Sequence, residues 1–402
     1  MKPSFWAALI IAAIIIAQSA TARTWRVEQD GSGDYQVIQH AVNVAASGDT
    51  VRIGPGEYTD HFQVDPPQDY YTSCVQLKQA ELTIIGAGAD STFIGPQGEG
   101  WDGWDGEHAR TIGIFADGYW DNRFLYLKGV TVRNANSGLL SWRLEYTAID
   151  DCAFKGNRSG IFITDGRFLV QGAWFGDQPS NGRHLRAHST PNSIVENCRF
   201  EDTAIVQSGS VHLSVSWRPS SVEVRNCSFL GGYDAFSIGG VEVNISNCMM
   251  KNLQGYAIGV GSGAALSVEN CTVDTAEGGL FSSYSGSDIT VSNTSFRSLV
   301  EASVVFDGLS DCTITNCNLA KGIRYVATTP HGLPPGEKLA IESRADIRNN
   351  WWGTSDPDSI QAWIFDAVDD TAQTVIFDWY PYLDAPVANE HTSTGGLKRM
   401  FR

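Results

Sequence analysis

The sequence predicts an all-β solenoid, one stack of short coils closed at both ends, and three observations carry that expectation. The first is a recurring phrase: SIVENCRF (193–200), SVEVRNCSF (221–229), VEVNISNCMM (241–250), ALSVENCTV (265–273), DITVSNTSF (288–296), CTITNCNL (312–319) and ADIRNNWWG (345–353). Its Asn falls at Asn197, Asn226, Asn247, Asn270, Asn293, Asn316 and Asn349, with successive gaps of 29, 21, 23, 23, 23 and 33 residues. The second is a slip of phase inside the phrase. In SVEVRNCSF the apolar positions are Val222 and Val224, then Cys227 and Phe229, so strand alternation breaks at Asn226. Two short strands therefore meet at a bend, where Asn tolerates left-handed backbone better than other residues bearing a side chain. The third is composition: 41 Gly and 18% charged residues suit many tight turns around a long buried interior.

Ten to twelve coils at about 4.8 Å per strand spacing would make a rod on the order of 50 Å long. A leucine-rich repeat has a comparable period but needs a Leu-x-x-Leu-x-Leu frame that is missing here. Stacked in register, the turn Asn side chains could form a hydrogen-bonded ladder, with Cys, Val and Phe stacked inside.

Residues 1–22 have the form of a secretory signal peptide: Lys2, an apolar core from Trp6 to Ala17, and a small-residue cleavage site at Ala20-Thr21-Ala22. The apolar run is too short to span a bilayer, so stable membrane insertion is not expected. The solenoid is expected over 23–385 and a polar flexible tail over 386–402. Export would permit disulfides, yet Cys198, Cys227, Cys248, Cys271 and Cys317 share one slot of the repeat. Side chains stacked in one slot point the same way, which favours buried free thiols over bridges. The formal charge of −17 disfavours nucleic acid and anionic lipid as partners.

Along the chain, Tyr35–Ala46 reads as a short helix with Ile38, Val42 and Ala45 on one face, a lid over the first coil's unpaired edge. Thr50–Ile53 starts the stack. The stretch GPQGEGWDGWDGEHAR (95–110) is too irregular to be scaffold. There Trp101 and Trp104 could stack on sugar rings, and Asp102, Asp105 and Glu107 could hold Ca²⁺, although the spacing is no EF-hand. Asp150-Asp151 has the look of a catalytic pair, but Asp151 stands where other coils carry the turn Asn.

Lys155–His188 stands apart in charge. Lys155, Arg158, Arg167, Arg183 and Arg186 outnumber Asp165 and Asp177, a local +3 in an acidic chain. Its last part, GDQPSNGRHLRAHSTPN (176–192), reads as a long loop, the usual place for a site on a rigid array. Arg158 and Arg183 could bind a carboxylated or sulfated sugar, and His184, Arg186 and His188 could serve as base and charge clamp. At the far end Trp351 and Trp352 would plug the stack. Ser359–Val368 would form a second capping helix, packing Ile360, Trp363, Ile364 and Ala367.

The bend-centred coils resemble the right-handed parallel β-helix of the pectin-lyase-like superfamily. The opening segment TWRVEQDGSGDYQVIQHAVNVAASGDTVRIGPGEYTD (24–60) is similar to that of pectin methylesterases and of many bacterial β-helix proteins. The segment NNWWGTSDPDSIQAWIFDAVDD (349–370) resembles the close of many exported ones. The resemblance implies a polysaccharide ligand, yet the pectin methylesterase phrases are missing. Ser137-Gly138-Leu139-Leu140 stands where that family has a Gln phrase, and Arg158-Ser159 stands in place of Gln-Asp. Neither a carboxylate nucleophile nor an oxyanion-holding amide is identifiable, which argues against that esterase chemistry. The polygalacturonase and pectate lyase phrases are missing as well. The expectation is an exported monomer that binds polysaccharide on loops of one flank. A lyase or hydrolase acting on acidic glycan and a purely structural or adhesive module are the alternatives, with catalysis left open.

Overall fold

A computed structural model describes residues 22–64, 71–78, 81–98, 111–118, 123–179, 182–203, 210–283, 286–307, 311–319, 323–325, 343–366 and 375–388. The signal-like segment up to Thr21, the Trp-Asp-Gly stretch and the tail from 389 lie outside them.

The described residues wind into a parallel β-helix with three faces. The first sheet has 14 strands, the second 11 and the third 13, and apart from the antiparallel pairing of Phe62–Gln63 with Thr72–Leu77 each strand pairs in parallel with its counterpart one coil away. About eleven coils are thus stacked. Strands 221–225, 242–246, 265–269 and 288–292 lie side by side in the first sheet, with Val224, Ile245, Val268 and Val291 in one inward row. Strands that follow the bend form the second sheet, whose inward row includes Phe154, Phe175, Phe200, Phe229 and Met250. Successive rings in that row stack at centroid distances of 5.2, 4.6 and 4.7 Å from Phe154 to Phe229.

The bends are as the Asn phrase predicts. All seven turn Asn residues are left-handed, with φ between 49° and 59°, and Asp151 occupies the equivalent place at φ 50°. Their side chains are half-buried or exposed, and backbone bonds cross the bends: Asn226 N–H donates to Ser246 O at 3.1 Å and Asn247 N–H to Glu269 O at 3.1 Å. The interior ladder belongs to the next residue. Cys198, Cys227, Cys248, Cys271 and Cys317 are buried free thiols, as are Cys74, Cys152 and Cys312. Thr294 fills the same slot with a hydroxyl that accepts from Cys271 N–H at 3.3 Å, and Asn350 ends it by accepting from Cys317 N–H at 2.8 Å.

Both ends are lidded. The first helix runs Ile38–Val44, shorter than its sequence pattern, and buries Ile38, Ala41 and Val42. Its Gln39 exchanges two hydrogen bonds with the backbone of Gln76, at 2.7 and 3.0 Å. That pairing satisfies strand groups that the stack leaves open. The second helix runs Pro357–Trp363, capped by Asp356, whose carboxylate accepts from Ser359 N–H at 3.1 Å. It is shorter than the expected 359–368, because Ile364 turns extended and pairs with Ile323 at the end of the third sheet. An open sheet edge offers hydrogen bonds that outweigh another helical turn. Ile360 of this helix and Trp352 before it are fully buried, whereas Trp363 is 40% exposed rather than packed. Ala367 lies outside the described residues. No helix among the described residues is long and apolar enough to cross a membrane.

Candidate functional site

The basic segment is not a loop. Arg183–His188 is a strand of the third sheet, paired with Ser159–Thr164 on one side and Val211–Ser216 on the other. The sequence RHLRAH lacks plain alternation because the strands from 137 to 283 in this sheet skip a pairing at their second residue. Ser137 pairs with Ser159 and Leu139 with Ile161, while Gly138 and Gly160 are passed over. The skipped residue turns inward, toward the corner with the second sheet, so two consecutive side chains face the core. His184 and Leu185 therefore point in, and Arg183, Arg186 and His188 lie on the outer face.

That correction divides the expected site residues. His184 is 0% exposed and cannot touch a polymer. On the outside, Arg186 sits over the Phe162 ring, its guanidinium carbon 4.4 Å from the centroid. Burial, then the charges of Arg183 and Arg158, lower the Arg186 pKa, and burial followed by Arg183 does the same for Arg158. No carboxylate enters either balance. Among the described residues Arg183 and Arg186 have no ion-pair partner, although Lys155 nearby pairs with Asp177 at 3.3 Å. His188 is wedged between Phe162, edge-on at 5.0 Å, and Trp217, stacked at 5.0 Å, and Trp217 is 67% exposed. Burial, then Arg186 and Arg183, push the His188 pKa down to about 4, so the ring is neutral near pH 7. Among the described residues the outer face thus offers unpaired guanidinium groups beside aromatic rings, chemistry suited to an anion next to an apolar surface.

The same face changes sign further along the stack. Val211 pairs with Arg183 on one side and with Asp234 on the other, so Asp234 stands two strands from Arg183, roughly 10 Å by strand spacing. Burial and, more weakly, Glu277 raise the Asp234 pKa to about 7. Tyr256 donates its hydroxyl to Glu301 in the following coils. By contrast Asp150 and Asp151 are engaged elsewhere: Lys128 Nζ lies 2.5 Å from Asp150 and 3.6 Å from Asp151, and Tyr126 donates to Asp150 at 3.0 Å. Their structural reading holds.

Trp101, Trp104, Asp102, Asp105 and Glu107 lie outside the described residues, so their meeting with the basic strand has no geometry to report.

What sequence reasoning missed is inside: the partners of His184, which are His212 and Asp202. His184 and His212 occupy the skipped inward position on adjacent coils, where other coils carry Gly138, Gly160, Ala235, Ala257 and Gly279. Their rings stack at 4.8 Å, and Nδ1 faces Nδ1 at 2.7 Å. Asp202, on the second sheet, brings Oδ1 to 3.3 Å from His184 Nε2 and Oδ2 to 3.9 Å from His212 Nδ1. It also accepts from Gln178 N–H at 3.2 Å. All three side chains are buried. The signal that could have found the pair is its 28-residue separation, one coil of the local period.

Fold and face together define the class: a right-handed parallel β-helix with a basic, aromatic patch on one outer sheet. The family model for the right handed beta helix region matches residues 208–330. Among solved structures, the catalytic unit of a thermostable GH87 alpha-1,3-glucanase from Streptomyces thermodiastaticus strain HF3-3 aligns with a TM-score of 0.55 at 10% identity. That alignment covers 87% of this chain and 65% of the glucanase unit, so the chain spans just under two thirds of it. ORF18 of Geobacillus virus E2 aligns at 11% identity and TM-score 0.42, covering 81% of this chain and 65% of that one. Pectin methylesterase from carrot aligns at 13% identity and TM-score 0.24, covering 92% and 85% respectively. These likenesses are of fold. No curated protein matches the chain.

Proposed function

We propose that this β-helix binds an anionic polysaccharide on the outer face of its third sheet, outside the cytoplasm, with residues 1–22 as its export signal. One observation supports the reading: Arg183 and Arg186 project from adjacent outward positions of one strand, have no carboxylate partner among the described residues, and lie beside Phe162, His188 and Trp217 in a chain of net charge −17. Guanidinium groups kept unpaired on an acidic protein are poised for an outside carboxylate or sulfate, which accepts two parallel hydrogen bonds from each. A sugar's apolar face would rest on the aromatic rings. The fold's likeness to a glucanase unit supports a glycan in general, and the arginines supply the preference for an acidic one.

Polygalacturonate, alginate and a sulfated glycan should each be retained more strongly than a neutral alpha-1,3-glucan in affinity electrophoresis, with retention falling as salt rises. Charged hydrogen bonds contribute about 1.5–3 kcal/mol each, so Arg183→Ala and Arg186→Ala should each weaken binding by roughly 10- to 100-fold. Equal retention of the neutral glucan, or unchanged binding by the double variant, would refute the assignment.

Asp234 supports a second reading, cleavage of the bound chain. A carboxyl group held near pKa 7 beside Glu277 is suited to donate a proton to a leaving oxygen at neutral pH. New reducing ends from an acidic glycan, abolished in Asp234→Asn with binding retained, would establish it; their absence across the glycan panel would leave a binding module only.

A further inference from the structure

Beneath the basic strand, the interior holds a polar cluster that the glycan face does not use. Elsewhere the corner between the second and third sheets is filled by small or aromatic side chains. A Cβ on Gly160 would already stand 3.1 Å from the Phe175 ring, and one on Gly138 3.0 Å from Phe154. Two imidazoles and a carboxylate in such a corner cost free energy unless every lone pair and hydrogen has a partner.

Counting them leaves one place unfilled. His212 Nε2 lies 2.8 Å from Gly231 O, an acceptor only, so that nitrogen carries a hydrogen. In the neutral ring Nδ1 is then a bare lone pair. It faces His184 Nδ1 at 2.7 Å, so the hydrogen between them belongs to His184. The remaining nitrogen, His184 Nε2, is consequently a second lone pair. It is buried, has no well-aligned hydrogen-bond partner among the described residues, and lies 3.3 Å from a carboxylate oxygen. A lone pair against a carboxylate is repulsive unless a cation lies between. Two arrangements relieve it: His184 takes an extra proton on Nε2, or a metal ion replaces the hydrogen between the two Nδ1 atoms and His184 keeps its hydrogen on Nε2, toward Asp202.

We propose that His184, Asp202 and His212 form a buried site for one divalent transition-metal ion that ties two successive coils together. One donor atom from each residue lies within 4.8 Å of the others, close enough to converge on an ion at about 2.0–2.2 Å from nitrogen and oxygen. The Gly231 carbonyl holds Nε2–H of His212 and so presents Nδ1 outward, the kind of outer contact that orients metal-bound imidazoles. Gln178 N–H does the same for the Asp202 carboxylate. The backbone closes over the cluster at Gly232, where a Cβ would lie 2.8 Å from His212 Nε2 and 3.3 Å from Asp202 Oδ2. Two imidazoles and one carboxylate suit Zn²⁺, Co²⁺ or Ni²⁺, whereas Ca²⁺ and Mg²⁺ require mostly oxygen. Without metal His184 carries the extra proton; the ion displaces the hydrogen between the two Nδ1 atoms and leaves the one on Nε2, so loading releases about one proton per site.

The protein should be unfolded in chelator, refolded, and titrated with Co²⁺ and with Zn²⁺. One equivalent should bind, with visible cobalt absorption, release of a proton, and a melting temperature that climbs with metal concentration. Zinc-edge absorption spectra should show imidazole and oxygen ligands and no sulfur. Asp202→Asn and His212→Gln should each lose the stoichiometric site. Should either variant fail to fold, the ligand signature of the wild-type protein decides. No binding by the refolded wild type would show that a proton alone fills the gap and would overturn the proposal. So would sulfur ligation, or a stoichiometric site that survives in both folded variants.

Discussion

His188 and His184 are four residues apart on one strand, yet the fold gives them opposite surroundings: one lies on an aromatic outer face, the other inside a solenoid. For His188 the consequence is measurable. Burial, then Arg186 and Arg183, lower its pKa from 6.5 to about 4. Between those values the unfolded chain binds more protons than the folded one. The stability that neutral His188 contributes is therefore present above about pH 6.5 and lost as pH falls toward 4. Asp234 runs the other way: its folded pKa of about 7 exceeds the ordinary 3.8, so its contribution is lost as pH rises through that window. Thermal unfolding followed from pH 7 to pH 4 should show a shallower acid decline in His188→Gln than in the wild type. Parallel curves would mean that the ring is not held neutral. Neither pKa was legible in the sequence, since rings on neighbouring coils bury His188 and Asp234 feels Glu277 two coils away.

At the scale of the element, the bend was the most legible feature. A left-handed residue between two strands is a local requirement, and Asn meets it at seven successive coils. Asn226→Val places a β-branched side chain at φ 55° and should destabilise by about 1–2 kcal/mol, while Asn226→Gly should stay near neutral. Urea unfolding of the two variants provides the comparison, and equal losses would show that the Asn side chain, not the backbone, secures the turn. The strand 183–188 was misread as a loop for an equally local reason. Its skipped second residue puts His184 and Leu185 both inward, so alternation fails just where charge suggested a surface excursion. The second helix stops at Trp363 because Ile364 finds a strand partner that no helical periodicity could reveal.

For the whole molecule, the interior is continuous from lid to lid, and its cysteines are part of that packing. Burial raises the pKa of Cys227, Cys248 and Cys271 well above the ordinary value and that of Cys152 to about 12. All eight thiols are buried, so a thiol-reactive dye should label none in the native protein and eight after denaturation. Reducing agent should leave the melting curve unchanged. Fewer than eight thiols in the denatured, unreduced protein would reveal a disulfide and break the ladder.

The chain alone determined the coil, the bend, the stacked Cys and Phe rows and the need for two lids. Each follows from a pattern within some twenty-five residues, repeated until chance is excluded. Only the tertiary structure decided which basic residues face solvent and which histidines face each other. A one-residue skip reverses the direction of a side chain, and His184, Asp202 and His212 meet only because coils of 21 to 29 residues come into register around a shared corner.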